Sequence, residues 1–237
     1  MNLAYLRDFA HHHGVGPALY QAAYRAANRV TRVAVWNALA ITLDGVDKKF
    51  LSDPKRKEGR LLEAAAMRPY ASKDNALTDA FIDEAITKKD RCYAFFDGDV
   101  LASYGWYSSH PTRLTELDSS LVLHFSPSFA YMYNGFTAPK YRGQRLHAIG
   151  MTAALEAYTQ EGLKGLVSYV DSSNVASLRS CYRLGYESFG HVLVIKVGDR
   201  FLYRTTPGCR RYDFRLERVP SPALPAFPGA RELKARA

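Results

Sequence analysis

The chain has 237 residues, 47% hydrophobic and 23% charged, with a formal net charge of +9 at neutral pH. This composition suits a globular protein with one substantial core and excludes disordered, collagen-like and coiled-coil classes. No apolar run reaches the roughly 18 residues that a membrane span needs, and the N-terminus lacks a secretory pattern, so a cytoplasmic location is expected.

The three cysteines, Cys92, Cys181 and Cys209, are too scattered for a disulfide framework or a zinc knuckle. His11, His12 and His13 cannot all face one ion on a helix, so no metal site is expected. The positive charge favours polyanionic partners, but no helix-turn-helix, zinc-finger or RNA-binding-sheet pattern points to specific nucleic-acid binding.

In chain order, residues 1–32 read as a basic helical extension, and its helix GPALYQAAYRAANRVTRV opens with Pro17 in the first turn, where the missing N–H costs nothing. Arg25, Arg29 and Arg32 share a helix face, which is either solvated or a surface for anionic lipid or an acidic carrier protein. Residues 33–44 alternate as a strand. The stretch 45–90 is polar, with DPKRKEGR a loop and NALTDAFIDEAITK a helix. Asn75 is its expected cap, and Leu77, Phe81, Ile82 and Ile86 its buried stripe.

From residue 91 strands dominate. Asp97-Gly98 marks a hairpin within CYAFFDGDVLASYGWYS. Aromatic residues at 93, 95, 96, 104, 106 and 107 belong to strand cores, and their excess offers lining for an acyl tunnel. LDSSLVLHF and FAYMYNGFTA continue an antiparallel meander. A helix over about 143–161, the strand GLVSYVD, a helix ending at Gly185 and the strand pair YESFGHVLVIKV follow. The crossover from 129–137 to 166–170 requires parallel neighbours. FLYRTT and YDFRL are later strands. Their arginines (200, 204, 210, 211, 215 and 218) mark a solvated edge or a carrier-docking face, and the Pro- and Ala-rich 220–237 is expected to fray. The main domain is therefore 33–219, an α/β (α+β) unit.

The chemistry concentrates between Tyr131 and Tyr186. The strand YMYNGFTA runs into Pro139-Lys140-Tyr141-Arg142-Gly143-Gln144-Arg145-Leu146-His147 and then the long helix. A basic turn at a helix N-terminus is a natural anion site, because free N–H groups and the positive dipole end face the ligand. Arg142 and Arg145 add charge-assisted hydrogen bonds.

Thr137-Ala138-Pro139-Lys140-Tyr141-Arg142-Gly143-Gln144 resembles the strand end and pyrophosphate turn of the GNAT superfamily of acyltransferases. Asn174-Val175-Ala176-Ser177-Leu178-Arg179, followed by Tyr182-Arg183-Leu184-Gly185-Tyr186, is similar to that family's second motif. The resemblance covers roughly residues 91–198. It implies a twisted mixed sheet, flanked by helices, whose central strands splay to admit a thioester. It also implies that Phe136, Thr137, Arg142, Gly143, Gln144, Arg145, Leu146, His147, Ala148 and Asn174 hold the donor, acetyl-CoA or another acyl-CoA. Arg145 and His147 replace the two later glycines of the family turn, which would crowd or specialise the phosphate site.

The implied reaction is direct attack by an amine or hydroxyl of a small-molecule or saccharide acceptor on the thioester carbonyl. Candidate bases are Asp118, His124, Tyr131 and Tyr133. Cys181 stands where many members carry the tyrosine that protonates the leaving thiolate, and Tyr182 is its neighbour on the helix. Two alternatives accompany this expectation. One is a long-chain N-acyltransferase fed by long acyl-CoA or by the phosphopantetheine of an acyl carrier protein; the other is a non-catalytic binding protein on the same scaffold.

Overall fold

The computed structural model describes residues 3–114, 117–118, 120–198 and 200–220. Helices α1 (Leu3–His13) and α2 (Val15–Val30) lead into β1 (Val33–Ile41), then α3 (Lys48–Leu51), β2 (Gly59–Glu63) and α4 (Asp79–Lys88). Next come β3 (Arg91–Asp97), β4 (Val100–Ser108), β5 (Thr112–Arg113), β6 (Leu121–His124) and β7 (Phe129–Thr137). The rest is α5 (Leu146–Gln160), β8 (Gly165–Asp171), α6 (Val175–Leu184), β9 (Glu187–Val197), β10 (Arg200–Thr205) and β11 (Arg215–Arg218).

Eight strands form one mixed sheet in the order β10-β9-β1-β8-β7-β4-β3-β2, and β11-β6-β5 form a second, small one. Strand β7 runs parallel to β8, with α5 as the crossover. The long helix is apolar around most of its girth because the sheet covers it closely. Ile149, Ala154 and Leu155 are wholly buried in one core with Leu39, Met132 and Leu166, each large side chain contributing about 1.5–3 kcal/mol by leaving water. On the other sheet face, Leu121, Leu123 and Leu216 of the small sheet pack on Trp36, Val167 and Val192. Beside them a third cluster joins Leu77, Ala85, Tyr104 and Trp106.

Several expectations are corrected. The helix near 80 is capped by Thr78, whose hydroxyl accepts from Phe81 N, while Asn75 donates to the Tyr70 carbonyl. Its buried positions are Ile82 and Ala85, and Ile86 is exposed. The hairpin loop is Gly98-Asp99, because Asp97 still pairs with Val100. Gly59 and Arg60, read as the end of the DPKRKEGR loop, instead begin β2, which pairs with β3. Strand β6 leaves the meander for the small sheet, so β7 pairs directly with β4. Residues 187–197 form one continuous strand, not two. Strand β1 enters the middle of the sheet, between β8 and β9. The expected fraying tail, from 221 on, lies outside the described residues.

Candidate active site

Strands β7 and β8 pair only at Phe129↔Gly165, Ala130↔Leu166 and Tyr131↔Val167, after which β7 continues to Thr137 without β8. The Ser168 hydroxyl, donating to the Met132 carbonyl at 2.8 Å, is the last link across them. A bulge in β7 at Tyr133, between the pairs Trp106↔Asn134 and Tyr107↔Met132, turns the strand at this point.

Beyond the bulge, direction follows from register. Ala138 N donates to the Ala102 carbonyl at 3.0 Å, so by the two-residue period the backbone groups of Phe136 and Asn134 point toward β4. Those of Gly135 and Thr137 point the other way, into the gap. An extended guest that supplies its own carbonyls and amides fits there as a missing strand. Phe136 therefore does not face the gap through its backbone, and its ring stacks on Tyr104 at 5.5 Å. Of the backbone 134–137 that the resemblance implies as the pantetheine partner, Gly135 and Thr137 are the residues turned to the gap. Part of the Thr137 group is used: its carbonyl accepts from Arg142 Nε at 3.3 Å, and its hydroxyl bonds that of Ser103 at 2.8 Å.

The gap ends at the start of α5. Gly143 is exposed with φ +81, a conformation that favours glycine, and Arg145 is the helix cap with φ +62. The backbone turn of a glycine is thus kept at Arg145 at a strain of about 1–2 kcal/mol. Ile149 N makes the first helical bond, to the Arg145 carbonyl, leaving the amides of Leu146, His147 and Ala148 to another acceptor. Leu146 is buried, whereas Arg142, Gly143, Gln144 and Arg145 are exposed. A second segment adds a cation missed by the sequence reading, as Lys55 Nζ donates to Gln144 Oε1 at 3.2 Å. The turn is anchored from below by Tyr141, whose hydroxyl donates to Asp97 at 2.7 Å.

Neither replaced glycine crowds this turn. Arg145 extends into solvent, and His147 folds inward over Gly135, so closely that a Cβ at 135 would lie 2.3 Å from its ring. Burial lowers the His147 pKa below 6.5, against an opposing hydrogen bond to the Tyr104 backbone. It is a neutral imidazole at pH 7.

Asn174 caps α6, its side chain accepting from Ser177 N at 3.1 Å. On that helix Cys181 is turned against the main core, while Tyr182 is 47% exposed. Desolvation pushes the Cys181 thiol up to about 11, despite a hydrogen bond with Ser177.

The other candidates stand elsewhere. His124 lies on the small sheet, where its Nε2 is 2.7 Å from Glu217. Asp118 is beside Ser120; burial raises its pKa, but hydrogen bonds from Ser120 and the positive charges of Lys196 and Arg218 bring it below the usual value. Tyr131 is buried in a stack with Tyr133 and Tyr169. Tyr133 donates to buried Asp90 at 2.9 Å, and burial with that carboxylate holds its phenol far above the usual range. Among the described residues no His, Cys, Asp and Glu cluster suits a metal ion, and no helix is long and apolar enough to cross a membrane.

Comparison with known proteins bears on this geometry. The model of the acetyltransferase (GNAT) family matches residues 60–186, more than half of the chain. A GNAT-family acetyltransferase from Novosphingobium aromaticivorans is 15% identical, over 68% of this chain and 63% of its own, with a TM-score of 0.44. One from Colwellia psychrerythraea is 14% identical, over 73% of this chain and 60% of its own, at a TM-score of 0.46. An aminoglycoside N-acetyltransferase in complex with CoA is 15% identical, over 55% of this chain and 91% of its own, at 0.42. The chain thus spans less than two thirds of the first two structures, and no curated protein is similar enough in sequence to match. By its family match, this chain is a member of the GNAT acetyltransferase family.

Proposed function

We propose that the protein transfers an acyl group, acetyl in the first instance, from acyl-CoA to an amine or hydroxyl of a small-molecule or saccharide acceptor. The observation that carries this reading is the early end of β7–β8 pairing, which leaves Gly135 and Thr137 facing a gap that runs to the open amides of α5. The pantetheine arm takes the place of the missing strand. The pyrophosphate sits on Leu146, His147 and Ala148 amides, with Lys55, Arg142 and Arg145 supplying charge.

A cysteine thiol has a reference pKa of about 8.5, so a Cys181 thiol pushed up to about 11 is a weaker proton donor than an ordinary cysteine. We therefore assign Cys181 a packing role beneath the gap rather than that of the acid. The open turn favours free CoA over a carrier-bound arm, since its exposed cations match a diphosphate. Purified protein with CoA, acetyl-CoA, palmitoyl-CoA and acyl carrier protein tests this by thermal shift. Ligand at a hundred times its dissociation constant adds about 2.7 kcal/mol, a rise of roughly 5–10 °C. Stabilisation by acetyl-CoA, with thiol release from an amine pool, supports the reading; a shift only with the long-chain or carrier-bound donor replaces it with that alternative. Donor binding without thiol release from any acceptor would leave a binding protein.

A further inference from the structure

Among the described residues, most of the large exposed apolar side chains lie on α2 and on the β9–β10 hairpin. On α2 they are Val15 (68% exposed), Leu19 (66%), Tyr20 and Val30 (91%), and on one face of the β9–β10 hairpin Leu193, Val197 and Leu202, with Tyr203 on the other face beside Val194. Elsewhere among the described residues only Ile86, Val100 and Tyr182 are of this kind.

The pattern on α2 is regular. At about 100° per residue, Val15, Leu19, Ala23, Ala26 and Val30 fall within an arc of about 80°, and all five are exposed. The opposite side carries Ala18 and Gln21, which are buried, and Tyr24, which donates to Asp171 at 2.8 Å. The helix is thus amphipathic twice over, docked by one face and apolar on the other. On the hairpin, register places Arg204 beside Leu193, Leu202 beside Ile195 and Arg200 beside Val197. The two surfaces meet where Lys196 N donates to the Arg32 carbonyl at 2.8 Å and Val30 and Gly198 line one shallow depression.

Charge decides what covers this surface. No Asp or Glu occurs between Asp8 and Asp44, and between Glu187 and Asp213 there is only Asp199. Arg29 lies about 40° from one edge of the α2 stripe, and Arg25 about 40° further round on the same side. A second copy seated there by a two-fold axis would set arginines against arginines. An acidic protein partner would meet the charge but has no need of bare valine and leucine. An anionic bilayer satisfies both, because its headgroups take the arginines and its acyl boundary the apolar stripe.

We propose that the face formed by α2 and the β9–β10 hairpin docks on an anionic lipid bilayer. Tyr20 of the same helix shares a hydrogen bond of 2.6 Å with Ser172, just past the end of β8, so docking brings that end of the sheet to the lipid.

Flotation of the full chain with phosphatidylcholine vesicles, alone or with about a third phosphatidylglycerol, tests this. Recovery with the anionic vesicles is expected, falling at least about tenfold as salt rises from about 0.05 to 0.5 M. Leu19→Glu with Val30→Glu should lower partitioning about tenfold or more without moving the thermal midpoint, since both side chains are already in solvent. Arg29→Glu with Arg204→Glu should do the same. No flotation, equal recovery with neutral vesicles, or undiminished binding by both variants would overturn the proposal. So would a dimer in sedimentation velocity that Val30→Glu dissociates, or capture of an acidic carrier protein with no vesicle binding.

Discussion

The two edges of β8 behave differently. Toward β1 it is paired at six consecutive positions, from Trp36↔Asp171 to Ile41↔Leu166, whereas toward β7 the pairs stop after three. One strand is knitted on one side and released on the other, so the opening is not a defect of β8. It is made by β7, through the Tyr133 bulge and through His147, whose ring lies on Gly135 where the strand leaves. The inserted β1 then does what an opened sheet requires. It holds the free end of β8 from the far side, with Ser172 N donating to the Val35 carbonyl at 2.8 Å.

The comparison breaks most sharply at the end of the gap. Gly143→Glu places charge and bulk among the α5 amides, and should weaken CoA binding by about 100-fold, or ~2.7 kcal/mol, in calorimetry. Retained affinity would move the donor site elsewhere. The next effect is at the bulge side. Gly135→Ala drives a Cβ into His147 and should cost about 1–3 kcal/mol in urea unfolding, while His147→Ala in the same chain restores most of it, a coupling that only direct contact gives.

Arg145→Gly sharpens the account in the opposite direction. It removes a left-handed arginine and should raise stability by about 1 kcal/mol, or roughly 2–4 °C, while CoA affinity falls with the lost charge. The smallest effect is of pH. Because the folded His147 pKa lies below 6.5, the native state binds fewer protons than the unfolded chain. Its contribution is complete above pH 6.5 and is lost as pH falls through that value. Unfolding free energies at pH 7.5 and 5.5 should differ less in His147→Gln than in the parent chain.

Much of this site was legible in the sequence. The strand–turn–helix order forced a parallel crossover, Gly143 marked the turn, and the short helix after Asn174 ends at Gly185, as the residue pattern implied. Three features were not legible. Periodicity says which face a side chain takes but not which edge a backbone group faces, so the whole backbone of 134–137 was expected at the donor, although only Gly135 and Thr137 face the gap. Alternation found β1 and β6 without revealing their partners, because pairing over long sequence separation leaves no local trace. His147 looked obstructive at the turn, and only the bare surface of Gly135, 12 residues earlier in the sequence, shows where its ring goes.

The most direct test of the central claim is amide hydrogen exchange with and without CoA. The account predicts that the amides of 38–41 and of 166, 168 and 170, which like Ser172 N face a paired strand, are protected in both states. Gly135, Thr137 and the amides of 146–148 should exchange fast in the free protein and slow on CoA addition. Binding of CoA that leaves those amides exchanging freely, or protection of Gly135 and Thr137 before any ligand is added, would contradict it.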